Sequence, residues 1–198
     1  MDEKQTPQKL QYERKLVREL RQGRQAALKE LMIRHEDRVY RLAYSITLDA
    51  EESLEIVQDV FIKAFETIGN FREDASLSTW LRKITVNMCL NWKRKWKRRF
   101  RWSHTSIDRE AEYVNTAIEP KTDTPESDLA AKEFEGAVMK EIAKLPEELR
   151  TILVLKTVEN MSYREISDTL RIKRGTVASR LYKARRMILD AVGDSDDG

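Results

Sequence analysis

SYREISDTLRIKRGTVASRLYKARRM, Ser162 to Met187, is the stretch that decides how this chain is read. Ser162 and Glu165 stand three apart, the spacing at which a hydroxyl and a carboxylate each satisfy the other's backbone N–H. A helix is therefore predicted to start at Ser162. Ile166 and Leu170 give it one apolar face. Ile172, Val177 and Leu181 resume the pattern after a break, with the spacing a second packed helix needs. The second helix carries Arg174, Arg180, Lys183, Arg185 and Arg186 and meets no acid before Asp190. Two short helices that share a core and turn one cationic helix outward form a helix-turn-helix (HTH), whose second helix lies in the DNA major groove. The plainer alternative is a helical hairpin with a solvated charged face.

The whole chain narrows the choice. Its 198 residues hold one large domain or two small ones. Charged residues make up 36% of it, yet the formal net charge is only +3, so affinity for nucleic acid must come from clustered charge. One cysteine, Cys89, and two histidines, His35 and His104, exclude a disulfide framework and leave no Cys/His set for zinc. Cys89 falls in a predicted helix as a small core residue, and His35 sits among charged neighbours as a surface or partly packed residue. No catalytic residue, metal site or cofactor is expected. The N-terminal MDEKQTPQKLQYERK has no apolar core for a signal peptide, and no later run is long enough to span a membrane, so a cytoplasmic protein is expected.

Outward from the HTH the chain reads as all-α. Thr6-Pro7 opens a first helix, amphipathic and mostly exposed by its charge pattern, that Gly23 ends. A second runs from about Gln25 to Thr47 on a stripe of Leu28, Leu31, Met32, Val39, Leu42, Ala43 and Ile46. Asp49 and Glu52 have cap spacing and start a third, with the stripe Leu54, Val57, Phe61, Ala64, Phe65 and Ile68, closed by Gly69-Asn70. Off that stripe Glu55, Gln58 and Asp59 share one face. After the polar loop from Phe71 to Ser76, Ser76 caps a fourth helix, Leu77 to about Arg99, with Leu77, Trp80, Leu81, Ile84 and Met88 facing inward.

The end of the fourth helix turns basic. Lys93, Arg94, Lys95, Lys97, Arg98, Arg99 and Arg101 are seven cations in nine residues, and all four tryptophans lie between 80 and 102. Cations mixed with exposed aromatics suit a nucleic-acid backbone with unstacked bases nearby; a localisation-type run or membrane-surface helix is the alternative. From Trp102 to Asp128 seven acids outnumber two bases, with Pro120 and Pro125 and no apolar period, which reads as a linker. A helix from about Glu126 to Lys144 leads to Leu145-Pro146-Glu147-Glu148, where Pro146 at the first helical position followed by acids is a strong helix start. Leu149, Ile152, Leu153, Leu155 and Val158 then pack under the HTH.

Several of these stretches resemble bacterial sigma factors of the extracytoplasmic-function (ECF) group. In the HTH the matching residues are Leu145-Pro146, Tyr163-Arg164-Glu165-Ile166 and Gly175-Thr176-Val177-x-Ser179-Arg180-Leu181-x-x-Ala184-Arg185, a pattern LuxR-type regulators share in part. Glu55-x-x-Gln58-Asp59 is similar to the motif, usually Asp-x-x-Gln-Glu, that docks on the coiled coil of the polymerase β′ subunit. Phe71 through Asn87, with Ser76-Leu77-Ser78-Thr79-Trp80-Leu81, resembles the pattern whose loop captures a base flipped from the promoter's −10 element. The resemblance implies two small helical domains, a region 2 bundle over 7–100 and a region 4 HTH over 126–192, joined by an acidic flexible linker over 101–125. It implies a non-enzymatic, dissociable subunit of RNA polymerase for a stress or envelope response. The linker is either a solubilising tether or, by the resemblance, a segment that threads the RNA-exit path.

On this reading Glu55, Gln58 and Asp59 contact the polymerase core, through its β′ and β subunits. Phe71, Arg72, Glu73, Asp74, Ser76, Thr79, Trp80, Asn87, Lys93 and Arg94 handle the −10 element and the melted strand, with Trp80 more a brace for the loop than a stacking surface. Arg174, Thr176, Ser179, Arg180, Lys183 and Arg185 meet the −35 duplex, Arg180 being free to turn inward. The other partners implied are promoter DNA and an anti-sigma factor, commonly membrane-tethered, with no membrane insertion by this chain itself. Three residues depart from the pattern: Arg171 for a small turn residue, Lys173 for proline, and Ala178 for a base. Ala178 cannot donate to a base edge, which leaves the −35 sequence open but not the DNA-binding role. Two rivals stand beside this reading. A stand-alone HTH regulator would bind duplex DNA without needing the Phe71–Asn87 motif. A metal-dependent nucleic-acid enzyme finds no phosphate-binding Gly loop, HExxH or clustered metal-ligand set here, and only scattered Asp and Glu in charged-face settings are left to form a metal site.

Overall fold

The computed structural model describes residues 7–100 and 140–193, with side chains over 10–92 and 140–191. Among the described residues all regular structure is helical: α1 (Pro7–Arg21), α2 (Gln25–Thr47), α3 (Ala50–Thr67), a 3-10 turn (Ile68–Asn70), α4 (Leu77–Phe100), α5 (Glu147–Thr157), α6 (Tyr163–Leu170) and α7 (Arg174–Gly193). The predicted linker and most of the helix before Lys144 lie outside the described residues; 140–144 is helical.

In the first domain α2 lies against α1, α3 and α4, and α3 against α4. Leu31, Leu42, Ile46, Val60, Phe61, Leu77 and Leu81 are almost fully buried between them, each worth about 1.5–3 kcal/mol of transfer free energy for a side chain of this size. The helix ends follow local chemistry. Gly23 takes φ +73 after α1, Asp49 accepts the Glu52 N–H at 3.1 Å, and Ser76 Oγ accepts the Thr79 N–H at 3.2 Å. Each closes or opens a helix by satisfying or relaxing its terminal backbone groups.

α1 is amphipathic, as its charge pattern suggests, with Leu16, Val17 and Leu20 buried on one face. Three other expectations change. Leu54 is 53% exposed, and Ser53, Ile56 and Val60 take the inward arc in its place. At about 100° per residue the buried arc of α3 is centred on Val60 and Ala64, with Leu54 at its edge. Val158 is 57% exposed, because it caps α5 and the chain turns away there. Pro146 is the N-cap of α5, one place before the first helical position. Cys89 is fully buried, as expected.

In the second domain α5 and α6 pack on α7 around Ile152, Leu155, Met161, Ile166, Val177, Leu181 and Ala184. Ser162 and Glu165 form the capping box: Ser162 N–H donates to the carboxylate at 2.8 Å, and Glu165 N–H donates back to Ser162 Oγ at 3.2 Å. Arg171 ends α6 at φ 56, ψ 44, its N–H bonded to the Ser167 carbonyl. That left-handed position is one where a side chain with a Cβ is strained.

The two domains touch through α2 with α5 and through α4 with α6. Arg150, buried at 6% exposure, donates to the carbonyls of Ala143 (2.9 Å), Leu145 (3.3 Å) and, across the boundary, Ile46 at the end of α2 (3.2 Å). A cation at a helix C-terminus meets the negative end of the helix dipole. Burial pulls the Arg150 guanidinium below its ordinary range, with Glu147 opposing the shift.

Candidate nucleic-acid interface

Three surfaces hold the expected site residues. The first is the outer face of α3. Glu55, Gln58 and Asp59 are all exposed on it, and Leu54 and Ile62, 53% and 56% exposed, stand among them. The face is thus mixed, apolar and acidic. Glu52, at the start of the helix, turns inward, where burial and then the charges of Glu55 and Asp49 raise its pKa above the ordinary value.

The second surface is the loop before α4. Phe71 does not face solvent: it is 5% exposed and packs at 5.2 Å against Trp80 with the rings tilted by 45°. The expectation that Phe71 meets DNA is therefore corrected, because its ring anchors the loop to the core. Trp80 is half-buried on the inward side, as a brace would be. Ser76 and Thr79 hydroxyls pair at 3.0 Å. Arg72, Asp74 and Asn87 are exposed. Glu73 takes φ 58, a strained setting for a residue with a Cβ. Two partners from α1 hold it there: Arg21 Nη1 lies 3.0 Å from its carboxylate and Arg14 Nε 4.0 Å away. Arg21 also donates to the Phe71 carbonyl at 2.6 Å.

Between α1 and this loop lies an open cleft of about 120 Å³ bordered by Arg14, Val17, Phe71, Glu73, Asp74 and Ser76. The α1 residues were not legible as part of the site, since they lie some fifty positions away in sequence and share no motif with the loop. The side chains of Lys93 and Arg94, and of the rest of the basic run, lie outside the described residues.

The third surface is α7. Val177, Leu181 and Ala184 bury one side of it, which turns Ser179, Tyr182, Lys183 and Arg186 to the opposite side, all exposed. Arg174 and Arg185 are exposed on one flank. Thr176 is half-buried on the other, where its carbonyl accepts the Ser179 hydroxyl at 3.2 Å. Arg180 does turn toward α5, in an ion pair with Glu148 that leaves its side chain 32% exposed. Two residues on this face were missed as site residues. Tyr182 is 69% exposed, and its spacing of three from Ser179 was the available signal. Arg186 was visible in sequence as part of the cationic helix, and it lies 3.7 Å from Asp190.

The capping box is also an electrostatic device. Hydrogen bonds from the Ser162 N–H and hydroxyl hold the Glu165 carboxyl below the usual carboxylate range, with Arg82 and Lys83 of the first domain adding to the effect. Among the described residues no group of three or more His, Cys, Asp and Glu is placed to hold a metal ion. No helix there is long and apolar enough to cross a membrane.

Residues 31–99 match the Sigma-70 region 2 family, and residues 135–188 match Sigma-70, region 4. The chain is 31% identical over 176 residues to RNA polymerase sigma-H factor of Pseudomonas aeruginosa, covering 89% of this chain and 91% of that one. It is 32% identical over 174 residues to the ECF RNA polymerase sigma-E factor of Haemophilus influenzae, covering 87% and 91%. With the ECF RNA polymerase sigma factor SigW of Bacillus subtilis it shares 28% over 181 residues, covering 91% and 97%. In fold it is similar to sigma factor RpoE solved with the anti-sigma factor NepR from Bartonella quintana, with a TM-score of 0.60, 19% identity and coverage of 83% and 96%. It is likewise similar to CnrH solved with the cytosolic domain of CnrY, with a TM-score of 0.58, 22% identity and coverage of 93% and 98%.

Proposed function

The chain belongs to the sigma-70 family of RNA polymerase sigma factors, in the ECF group, and from that premise we propose how its surfaces divide the work of promoter recognition. A member of this group is a dissociable initiation factor that directs RNA polymerase to promoters in stress or envelope responses. The outer face of α3, with Glu55, Gln58 and Asp59 among Leu54 and Ile62, docks on the polymerase core. Apolar side chains among the acids give that contact a dry centre inside a charged rim.

The loop carrying Arg72, Asp74 and Ser76, with Thr79 and Asn87, takes the melted −10 strand, and the cleft beside it takes an extruded base. Flipping that base costs a few kcal/mol, which a loop already fixed by Arg21, Arg14 and the Phe71–Trp80 contact helps to offset. Lys93 and Arg94 hold phosphates behind it. On α7, Lys183 bonds guanine O6 and N7, while Ser179 and Tyr182 read neighbouring edges. Arg174 and Arg185 hold phosphates, and Thr176 orders the start of the reading helix.

The chain performs no chemistry of its own, works in the cytoplasm, and is restrained by an anti-sigma factor that covers both helical domains. Support for that partner comes from RpoE, which was solved with one. The observation that carries this reading is a single chain bearing an acidic-apolar helix face, a fixed polar loop over a cleft, and an outward cationic HTH helix. Run-off transcription from a genomic fragment library, with purified core polymerase, tests it. Discrete transcripts that require the chain are expected; a transcript pattern unchanged by adding it would overturn the reading.

A further inference from the structure

Where the two domains meet, a carboxylate of the second sits in a two-arginine notch of the first. Glu159, 7% exposed, lies 2.9 Å from Arg38 Nη2 and 3.6 Å from Arg82 Nη1. Arg82 Nη1 also donates to the Glu159 backbone carbonyl at 3.0 Å, and Arg82 Nη2 lies 3.9 Å from Glu165. The fork is not fully used: Arg82 Nε is buried with no hydrogen-bond partner among the described residues. Guanidinium pairs of this kind bind carboxylate and phosphate oxygens by the same geometry.

The notch also has a telling address. Arg38 Nη1 donates to the Ser78 hydroxyl at 2.7 Å, and Ser78 lies between the Ser76 cap and Thr79, in the segment assigned to the melted strand. The closed arrangement cannot serve a promoter as it stands. The −10 and −35 elements lie roughly 25 base pairs apart, on the order of 85 Å at ~3.4 Å per base pair. A compact body of this size has a radius of gyration of only about 15 Å. The domains must part on DNA, and when they do Arg38 and Arg82 lose their anion.

We propose that Arg38 and Arg82 form a backbone-phosphate site for the promoter strand, which Glu159 occupies in the closed chain as a stand-in for the phosphate. Domain closure and strand binding then compete for the same two cations. Opening does not leave the guanidiniums unpaired, because DNA replaces the carboxylate. The inference rests on the strand-binding role assigned above to the first domain.

Titration of the full chain, without polymerase, against a labelled single-stranded DNA oligonucleotide of mixed sequence tests it at several salt concentrations. Glu159→Gln, an isostere that keeps the packing, and Glu159→Ala are both expected to tighten binding on the order of fivefold or more. In the Glu159→Gln background, Arg38→Ala and Arg82→Ala are each expected to undo part of the gain and lower the salt slope by about 0.7, the value of one single-strand phosphate contact. Circular dichroism checks that each variant is folded, and Glu159→Gln carries the test if Glu159→Ala is not. If the wild type binds and Glu159→Gln binds no tighter, the inference is overturned while the strand-binding reading stands. It is also overturned if the gain survives both arginine truncations. If neither wild type nor Glu159→Gln binds the oligonucleotide at all, both fail together.

Discussion

The outer faces of α3 and α7 are built alike and offer opposite chemistry. Each helix buries one side in its own domain and leaves the other to solvent. On α3 the outward side interleaves Glu55, Gln58 and Asp59 with Leu54 and Ile62. On α7 it sets Lys183 and Arg186 beside Ser179 and Tyr182. What stands between the charges separates the two. Exposed aliphatic side chains gain only when another surface excludes water from them, which suits a protein partner. Cations among hydroxyls gain from phosphates and base edges, which stay wet. On the proposed reading the same helical scaffold carries a protein-docking face on α3 and a DNA-reading face on α7, and each role can be broken without the other.

The largest effect is expected at α3. Asp59→Arg is expected to weaken core binding by about 3 kcal/mol, roughly 150-fold, because it reverses a charge on the face proposed to meet the partner. It is expected to leave the thermal midpoint nearly unchanged, since the side chain is exposed. A quantitative core-binding titration and a melting curve check both halves.

Next comes the α7 face. Lys183→Ala is expected to lose roughly 1–3 kcal/mol of discrimination at one or two guanine positions. Arg174→Ala is expected to weaken all sequences about equally and lower the salt slope by about one unit. Holoenzyme binding to promoters substituted one −35 base at a time, at several salt concentrations, separates them. If Lys183→Ala weakens every promoter equally, that lysine is a phosphate contact.

A sharper test of the contrast is Ile62→Ala. It is expected to cost about 1 kcal/mol of core affinity with no change in salt dependence, because the lost term is apolar burial. A cost that fades at high salt would make the α3 face purely electrostatic.

Smaller effects concern how α7 is held. Arg171→Gly is expected to raise stability by about 1 kcal/mol, by relieving a left-handed residue that has a Cβ. Denaturant unfolding reads this directly. Glu165 has its folded pKa depressed, so its contribution is present above the unfolded value of about 4.3 and is lost as pH falls through the lower folded value. The HTH is therefore expected to loosen below about pH 4, and Glu165→Gln is expected to remove that part of the acid sensitivity, followed by melting temperature against pH.

How much of this was legible in sequence depended on the range of the interaction. The Ser162–Glu165 box, the Asp49 and Ser76 caps and the bounds of α2 were readable because each is fixed within a few residues. Leu54 and Val158 were misplaced because a stripe read by hydrophobicity alone does not know where a neighbouring helix stops. Phe71 was assigned to DNA from a motif, and its ring proved to hold the loop. The Arg21–Glu73 pair, Glu148 as the partner of Arg180, and Glu159 between Arg38 and Arg82 were hidden for one reason: ion pairs between residues far apart in the chain leave no periodic trace. The site was thus readable where it is local and unreadable where two elements build it together.

On the proposed division α3 holds the polymerase while α7 reads the promoter. Core-binding titrations of the wild type, Asp59→Arg and Lys183→Ala, run side by side with promoter binding by the resulting holoenzymes, test it most directly. The expected result is a clean division: Asp59→Arg loses core affinity, and Lys183→Ala binds core like the wild type but misreads −35 variants. Equal loss of core affinity in both variants, or none in Asp59→Arg, would rule out this division of labour.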